Sequence, residues 1–232
     1  MHVEVGPGPW DEDQAKTLFA ALGVQTMPRR TCADRTEAHR ALAELPGPVA
    51  VKLLDAAVLH KTEIGGVRLG VQTPEELDAA LDAIETAGGR RFLVESMAPP
   101  GVDLVVGARR DPVFGPIVLV GLGGTTAEAL ADISIRLAPL SVAEAAAMPA
   151  ELAGRALIDG WRGGPVLDRS ALGEAVAALG DLLAAHPELA EIEINPLRIT
   201  AHGLVALDAV CIAAETTEPL QEKVMTDGRT HQ

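Results

Sequence analysis

The chain is short of aromatic residues and of positive charge. Among its 232 residues there are three Phe, two Trp and no Tyr, and the formal net charge at pH 7 is −14. Single-stranded nucleic acid is commonly held by exposed aromatic side chains on which bases stack. A duplex backbone is held by clustered Lys and Arg that release its counterions. These two deficits argue against nucleic acid as a partner.

Cysteine and long apolar runs are also scarce. Cys32 and Cys211 are too few and too far apart for a disulfide framework or a metal motif. No stretch approaches the roughly 18 uninterrupted apolar residues of a membrane-spanning helix. The opening residues, MHVEVGPGPWDEDQAK, are acidic where a secretory signal would be basic and then apolar. The sequence predicts a reduced cytoplasmic protein that is neither exported nor inserted in a membrane.

The alternation of strand-like and helix-like segments predicts an α+β fold. Strands in antiparallel-looking runs are mixed with crossover helices, which disfavours a doubly wound parallel sheet. A chain of this length holds one large domain or two subdomains. We predict a Gly/Pro-rich lead over residues 1–10, a first subdomain over 11–90, a second over 91–213 and a polar tail over 214–232.

Each predicted subdomain has its own set of elements. The first contains a helix ended by Gly23, the strands PVAVKLL and VRLGV, and a helix whose Thr73 and Glu76 have capping-box spacing. The second contains the strands RFLVESM, VDLVVGARR, PIVLVGL and ISIRLAPL, helices near 141–155 and 170–185, and the hairpin formed by EIEINPLRIT and LVALDAVCIA. Neither the Gly-x-Gly-x-x-Gly fingerprint nor a Gly-x-x-x-x-Gly-Lys-Ser/Thr loop occurs.

Lysine is rare, and its placement is uneven. The chain has four lysines, yet Lys52 and Lys61 lie close together, with His60 beside one and the pair Gly65-Gly66 just after. Ammonium groups near a glycine-containing loop suit a polyphosphate, because glycine lets backbone N–H groups come close. The alternative is that both lysines are ordinary surface charges. His60 would either hydrogen-bond a phosphoryl group or accept one as a nucleophile.

A glycine cluster follows the strand PIVLVGL. Gly121, Gly123 and Gly124 mark either a tight turn between strands or a close approach of the backbone to a ligand. Arg136, a short way on, would bring a permanent cation to the same region.

The C-terminal hairpin carries polar side chains in a regular pattern. Glu191, Glu193 and Asn195 alternate along EIEINPL and therefore share one face of the strand, while Asp208 interrupts the apolar strand across the turn. Carboxylate and amide oxygens that converge from paired strands are the hard ligands preferred by Mg²⁺. A cross-strand polar network without a metal is the alternative.

Taken together, these segments resemble the ATP-grasp domain of the β subunits of ADP-forming (NDP-forming) acyl-CoA synthetases, over about residues 11–213. The resemblance is carried by VKLLDAAVLHKTEIGGVRLG, LVESMAPPGVDLVVGARRDPVFGPIVLVGLGG, ADISIRLAPL and EIEINPL with LVALDA. The last stretch is also similar to succinyl-CoA synthetase β chains. The resemblance implies an ATP-grasp fold, with the nucleotide held between two α/β subdomains.

The resemblance also implies a role for each candidate residue. Three roles concern transfer of the phosphoryl group: His60 as a second phosphoryl carrier, Glu193 as the acid near the phosphorylated histidine, and Arg136 as a group that steadies the phosphoryl. Asn195 and Asp208 would hold Mg²⁺. The nucleotide would be bound by Lys52 and Lys61 with the pliable Gly65-Gly66 loop, by Glu95 and Met97 at the adenine, by Asp103 at the ribose, and by Gly123 and Gly124 at the phosphates.

The activity implied by this resemblance joins a carboxylic acid to CoA, with ATP converted to ADP and phosphate through phosphohistidine. A separate α subunit would bind CoA and carry the primary phosphohistidine, so that the chain would act as part of a hetero-oligomer. Two other functions remain open at this point. One is an ATP-grasp carboxylate–amine ligase that works through an acyl phosphate, and the other is a non-catalytic nucleotide-binding module.

Overall fold

Two sheets organise the chain in the computed structural model, which describes residues 5–6, 8–58, 61–124 and 131–214. The strands, in chain order, are β1 Gln25–Thr26, β2 Arg29–Cys32, β3 Val49–Leu53, β4 Val67–Val71, β5 Phe92–Ser96, β6 Val102–Asp111, β7 Gly115–Leu122, β8 Ile133–Leu137, β9 Leu189–Thr200, β10 Gly203–Ala206 and β11 Ala209–Ala213. The helices are α1 Glu12–Ala21, α2 Arg35–Glu44, α3 Pro74–Thr86, α4 Val142–Ala147 and α5 Arg169–Ala185.

The small sheet has four antiparallel strands in the order β2-β5-β3-β4. Its central strands β3 and β5 are buried at every position. Helices α2 and α3 cover one face, and α3 begins with the predicted capping box of Thr73 and Glu76. The apolar stripe of α3 has helical spacing and packs into this core through Leu77, Ala80, Leu81 and Ile84.

The large sheet has the order β1-β10-β9-β6-β7-β8, and β11 also pairs with β9. All its pairs are antiparallel except β1 with β10. The long helix α5 packs against β6 and β7, and buries Leu172, Val176, Leu179 and Leu183. The predicted α+β organisation is therefore confirmed. None of the described helices has the length and apolarity needed to cross a membrane.

The two sheets divide the chain differently from the boundary predicted at residue 90. Strand β5 lies between β2 and β3 of the small sheet, although it follows that boundary. Helix α1 precedes the boundary, yet its Ala15 and Phe19 are part of the core beside the large sheet. The small sheet is thus an insertion in the larger body, because the segments before β2 and after β5 both belong to that body.

The chain enters and leaves the small sheet at adjacent strands. Arg29 of β2 is in register with Glu95 of β5. Just outside this pair, the Ser96 N–H donates a hydrogen bond to the carbonyl of Pro28 at 2.9 Å. The two connections between the sheets therefore lie side by side at one edge.

Candidate functional site

A cavity of about 230 Å³ lies between the two sheets. The small sheet and the turn after β3 provide one wall, and β9 with the β10–β11 connection provides the other. Five predicted site residues line it together: Lys52, Glu95, Met97, Asn195 and Asp208. The remaining lining residues are Ala50, Thr62, Val67, Leu69, Ser96, Ala98, Pro196, Arg198 and Leu207.

A group of six charged side chains, five of them buried, adjoins this cavity, and we call it the ion cluster. Its cations are the three lysines in the described part of the chain, and its anions come from α1, β5 and the residue before β11. The members are Lys16, Lys52, Lys61, Glu12, Glu95 and Asp208. With three charges of each sign, the cluster is formally neutral.

Lys16 is fully buried and has the most contacts with the anions. Its Nζ lies 2.6 Å from both carboxylate oxygens of Glu95 and 2.9 Å from Oε1 of Glu12. It also donates a hydrogen bond of 2.8 Å to the carbonyl of Leu207. Lys16 therefore joins α1, the small sheet and the large sheet at one point.

Lys52 is the lysine of the ion cluster that also lines the cavity. Its Nζ donates to Oε1 of Glu12 at 2.6 Å and to the carbonyl of Leu207 at 2.5 Å, and it lies 3.1 Å from Oε2 of Glu95. The prediction that Lys52 has a buried role, rather than an ordinary surface position, is consistent with its 6% exposure.

Lys61 reaches the ion cluster from the turn after β3. Its Nζ lies 2.9 Å from Oε2 of Glu12 and 3.2 Å from Oδ1 of Asp208. The turn is closed by the Gly66 N–H, which donates to the Lys61 carbonyl at 2.7 Å. A Cβ on Gly66 would lie 3.0 Å from that carbonyl oxygen, and Gly65 has a φ of 75° that favours glycine. The predicted glycine pair therefore shapes the turn that positions Lys61.

Burial and the neighbouring charges both shift the pKa values in the ion cluster. Burial alone would raise the pKa of Glu12, but the charges of Lys52, Lys16 and Lys61 outweigh it and lower that pKa well below its ordinary range. Burial and the Lys52 charge lower the pKa of Lys16. For Lys52 and Lys61, burial is outweighed by neighbouring carboxylates, so both pKa values are raised.

Asp208 has a mixed environment. Burial, followed by the nearby Glu12 carboxylate, raises its pKa, while the lysines act in the opposite direction. Its Oδ1 accepts a hydrogen bond of 2.8 Å from the Ala209 N–H, and its side chain is 29% exposed. The Asn195 N–H donates to the Asp208 carbonyl at 3.3 Å. Asn195 and Asp208, the predicted metal pair, therefore lie together at the cavity.

The donor set at this pair fits a magnesium ion that is also bound by a substrate. Among the described residues there is no group of three or more His, Cys, Asp or Glu that could hold a metal. One carboxylate and one amide oxygen still suit Mg²⁺, which keeps several waters and takes further oxygens from phosphate.

Glu193 lies two residues before Asn195 on β9, in register with Gly107 of β6 and Val210 of β11.

The segment after β5 lines the cavity with Met97 and Ala98. The Met97 N–H donates to the Pro48 carbonyl at 2.8 Å. The buried Ser96 hydroxyl has no hydrogen-bond partner within the described structure, and an unpaired buried hydroxyl is costly without a ligand or water. The Glu95 carboxylate is bound by lysines of the ion cluster. The predicted contact of Glu95 with adenine therefore stays a prediction, and it would be made by the main chain of Glu95.

Asp103 reaches the cavity through another residue. Its carboxylate accepts two hydrogen bonds from the Arg198 guanidinium, at 2.6 and 2.9 Å. Arg198 lines the cavity and was missed in the sequence, where it stands just beyond the INPL motif. The structure thus offers the cation of this pair to a ligand, with Asp103 holding it in position.

Gly123 and Gly124 of the glycine cluster directly follow strand β7. The Gly123 N–H donates to the Asp103 carbonyl at 2.7 Å, and a Cβ on Gly123 would lie 3.1 Å from that oxygen, so the backbones approach closely here. Gly124 has a φ of 83°, and residues 125–130 lie outside the described part. Gly123 therefore packs closely against β6, and the predicted contact of Gly123 and Gly124 with the phosphates of a ligand stays a prediction.

The structure does not bring Arg136 to the site. Arg136 is in register with Val118 of β7, which continues through Ala108 to Ile192, so its side chain shares their face of the sheet. Glu193 and Ile192 are neighbours on β9 and point to opposite faces. Arg136 forms an ion pair with Glu151 on its own face. Arg136 therefore lies on the face of the sheet opposite to Glu193, and its predicted contact with the phosphoryl group stays a prediction.

His60 lies outside the described residues, between Val58 and Lys61. Its predicted role as a phosphoryl carrier therefore stays a prediction.

Glu12 and Lys16 were missed as site residues, although the sequence held a signal for them. In α1 the buried residues Glu12, Ala15, Lys16 and Phe19 have the i, i+3, i+4, i+7 spacing of an apolar stripe. A Glu and a Lys one turn apart on that stripe must be buried as charges. Their partners outside α1 lie 40 or more positions away in the sequence, at Lys52, Lys61, Glu95 and Leu207, so the pattern alone could not name them.

Residues 6–212 match the model of the ATP-grasp domain, and the chain belongs to that family. The β subunit of acetate–CoA ligase (ADP-forming) I from Pyrococcus furiosus is 30% identical over 210 residues, which cover 87% of this chain and 90% of that subunit. The predicted resemblance to β subunits of this kind, and the predicted ATP-grasp fold, are confirmed.

A solved structure gives the same result. The dinucleotide-forming acetyl-coenzyme A synthetase 1 of Ca. Korarchaeum cryptofilum, in complex with coenzyme A and Mg-AMPPCP, has a TM-score of 0.75 and 34% identity to this chain. The match covers 88% of this chain and 92% of the matched one. In that complex the phosphohistidine segment points towards the nucleotide binding site.

Other relatives are much longer than this chain. Trans-feruloyl-CoA synthase FCS1, from an unknown prokaryotic organism, is 34% identical over 211 residues, which cover 87% of this chain and 30% of that protein. The chain therefore corresponds to less than a third of such a relative.

Proposed function

We propose that the chain is the nucleotide-binding β subunit of an ADP-forming acyl-CoA synthetase. It would transfer a phosphoryl group reversibly from ATP to a histidine, giving ADP and phosphohistidine. This transfer would be coupled to formation of an acyl-CoA from a carboxylic acid and CoA. The observation that carries this proposal is the cavity between the sheets, where Lys52, Met97, Asn195 and Asp208 meet. The acetyl-CoA synthetase neighbour bound to Mg-AMPPCP supports a nucleotide at the corresponding place.

Each wall of the cavity has a separate task in this proposal. The apolar side chains of Val67 and Leu69, with the main chain of Met97, enclose the base. The Ser96 hydroxyl and Arg198 offer hydrogen-bond donors to polar groups of the nucleotide, and Lys52 binds its phosphates. Phosphoryl transfer depends mainly on positioning and charge neutralisation, which this arrangement supplies.

Asn195 and Asp208 would hold Mg²⁺ beside the phosphates. A bound magnesium ion neutralises charge that develops on the phosphate oxygens. The Lys61 ammonium lies 3.2 Å from Asp208 and restrains its carboxylate. Ala209, whose N–H donates to the same oxygen, fixes the carboxylate from the other side.

The partner in this proposal is a separate α subunit that binds CoA and carries the primary phosphohistidine. The Pyrococcus furiosus relative is itself a β subunit of matching length, which supports this division. The Korarchaeum neighbour has a phosphohistidine segment directed at its nucleotide site. A histidine delivered from the partner would meet the phosphates at the Lys52 end of the cavity.

The purified chain is expected to bind Mg-ADP and Mg-ATP but to make no acyl-CoA alone. Isothermal titration calorimetry with each nucleotide, with and without Mg²⁺, measures the first part. An assay with CoA, ATP and a panel of carboxylic acids, with and without the α subunit, measures the second. Acyl-CoA formation by the chain without a partner, or no detectable binding of either nucleotide, would overturn the proposal.

Replacement of His60 by Ala is expected to abolish acyl-CoA formation by the complex while Mg-ADP binding stays within about twofold of the original. The reason is that a phosphoryl carrier is needed for transfer and not for nucleotide binding. Acid-labile phosphate on His60, measured in the complex with labelled ATP, provides the direct readout. Full ATP-dependent turnover by the His60→Ala chain would instead favour a carboxylate–amine ligase that works through an acyl phosphate.

A further inference from the structure

Glu12 contacts every described lysine of the chain, and one of them, Lys52, lines the cavity proposed for the nucleotide. Its Oε1 is 2.6 Å from Lys52 and 2.9 Å from Lys16, and its Oε2 is 2.9 Å from Lys61. The Glu12 side chain is completely buried. A phosphate oxygen that is to contact Lys52 must therefore compete with an internal carboxylate.

We propose that Glu12 is an internal counterion that occupies the place of a phosphate, and that Lys16 allows Lys52 to leave it. When a nucleoside diphosphate or triphosphate enters the cavity, the Lys52 ammonium exchanges the Glu12 carboxylate for a phosphate oxygen. No covalent bond forms or breaks in this exchange. The proposal rests on the nucleotide-binding function proposed above and assigns positioning roles to two residues of α1.

The arrangement of contacts around Lys16 makes this exchange possible. Departure of Lys52 removes one cation from Glu12 and one from Glu95. Lys16 then remains within 2.9 Å of Glu12 and within 2.6 Å of both oxygens of Glu95. Neither buried carboxylate is left without a counterion, which would otherwise oppose movement of Lys52.

Lys16 itself does not line the cavity, and its position is fixed. Its ammonium is bound by Glu12, Glu95 and the Leu207 carbonyl, and the side chain is 0% exposed. Lys52 by contrast lines the cavity. The two lysines share the same anions, but only Lys52 faces a ligand.

Three variants separate this exchange from a purely structural role. In Glu12→Gln, Lys52 loses its competing carboxylate, so the affinity for Mg-ADP is expected to rise severalfold. In Lys16→Met, movement of Lys52 would leave the Glu95 carboxylate without a counterion. The affinity for Mg-ADP is therefore expected to fall about tenfold or more, the scale of one lost charge-assisted contact. The double variant Glu12→Gln/Lys16→Met restores the charge balance of the cluster, and its affinity is expected to lie between those of the single variants.

The measurement is calorimetric titration of Mg-ADP into each variant of the full chain, with urea unfolding to establish the folded fraction. Glu75→Gln, on the exposed first turn of α3, is the matched control and is expected to leave the affinity unchanged. Opposite shifts for the two single variants support the exchange. Equal losses, or unchanged affinities in the folded fraction, overturn it and leave the proposed function intact. Absence of Mg-ADP binding by the original chain overturns both.

Discussion

Replacement of Lys52 by Met is expected to abolish detectable binding of Mg-ADP and to lower the free energy of unfolding by about 3 kcal/mol. Both effects have the same origin. The Lys52 ammonium is the cation at the cavity wall, and it also compensates Glu12 and Glu95 at 2.6 and 3.1 Å. Met keeps most of the apolar stem of Lys, so the change isolates the loss of charge. Calorimetry with Mg-ADP and urea unfolding measure the two effects.

A second substitution separates binding from stability. Adding Glu12→Gln to Lys52→Met leaves Lys16 and Lys61 facing Glu95 and Asp208, so the charges balance again. The double variant is expected to recover more than half of the lost stability, because pairs in one buried network do not act additively. Its Mg-ADP binding is expected to stay absent. If the double variant binds Mg-ADP as well as the original chain, Lys52 is not the phosphate ligand.

Replacement of Asp208 by Asn is expected to reduce Mg-dependent turnover of the complex by at least about 100-fold, equivalent to roughly 2.7 kcal/mol of transition-state stabilisation. Loss of the carboxylate charge weakens the pairing with Mg²⁺. The magnesium concentration for half-maximal rate is expected to rise together with the loss of rate. A titration of Mg²⁺ at saturating nucleotide measures both quantities.

The matched control for Asp208 lies on the adjoining strand. Glu191→Gln removes a carboxylate from the same face of β9 that carries Glu193 and Asn195, at a position in register with Arg109 and Ile212. It is expected to leave the magnesium dependence unchanged, because Glu191 does not line the cavity in the described structure. Equal effects of the two substitutions would show that general surface charge, and not coordination at Asp208, controls the magnesium requirement.

Much of the fold was predictable because its main elements carry strong local signals. The capping box of α3, the alternation along β9 and the apolar run of β3 each follow from a short stretch of sequence. Helix α2 and strands β1 and β2 were not predicted. The sequence of α2, RTEAHRALAE, is polar and buries only Ala38 and Ala41, so its periodicity gives a weak signal. Strand β1 has two residues, and its pairing with β10 is not local.

The boundary between subdomains was harder for a physical reason. Strand β5 has the same apolar pattern as the strands that follow it, and pattern alone does not say which sheet it joins. Its place between β2 and β3 depends on pairs such as Val51 with Val94, more than 40 positions apart. Long-range pairing of this kind is decided by the packing of the whole domain.

The candidate site was predicted in part. Lys52, Met97, Asn195 and Asp208 lie in or next to one cavity, as the motifs indicated. Arg136 lies on the other face of the large sheet from Glu193, and a single strand position decides which face a side chain occupies. Glu12 and Lys16 were missed because their charges are matched by residues from three other segments of the chain. A charged residue is evident from the sequence, but the residue that forms an ion pair with it usually is not.

The side-by-side connections of the small sheet determine how the cavity can open. Because the chain crosses between the two bodies only beside β2 and β5 in the described structure, a rigid rotation of the small sheet has its axis near that edge. Strand β4 is at the opposite edge and would travel farthest in such a rotation. Its Val67 and Leu69 form part of the cavity wall, so the base end would be uncovered from the β4 side. A ligand would then enter across β4, while the hydrogen bond from Ser96 to Pro28 stays intact.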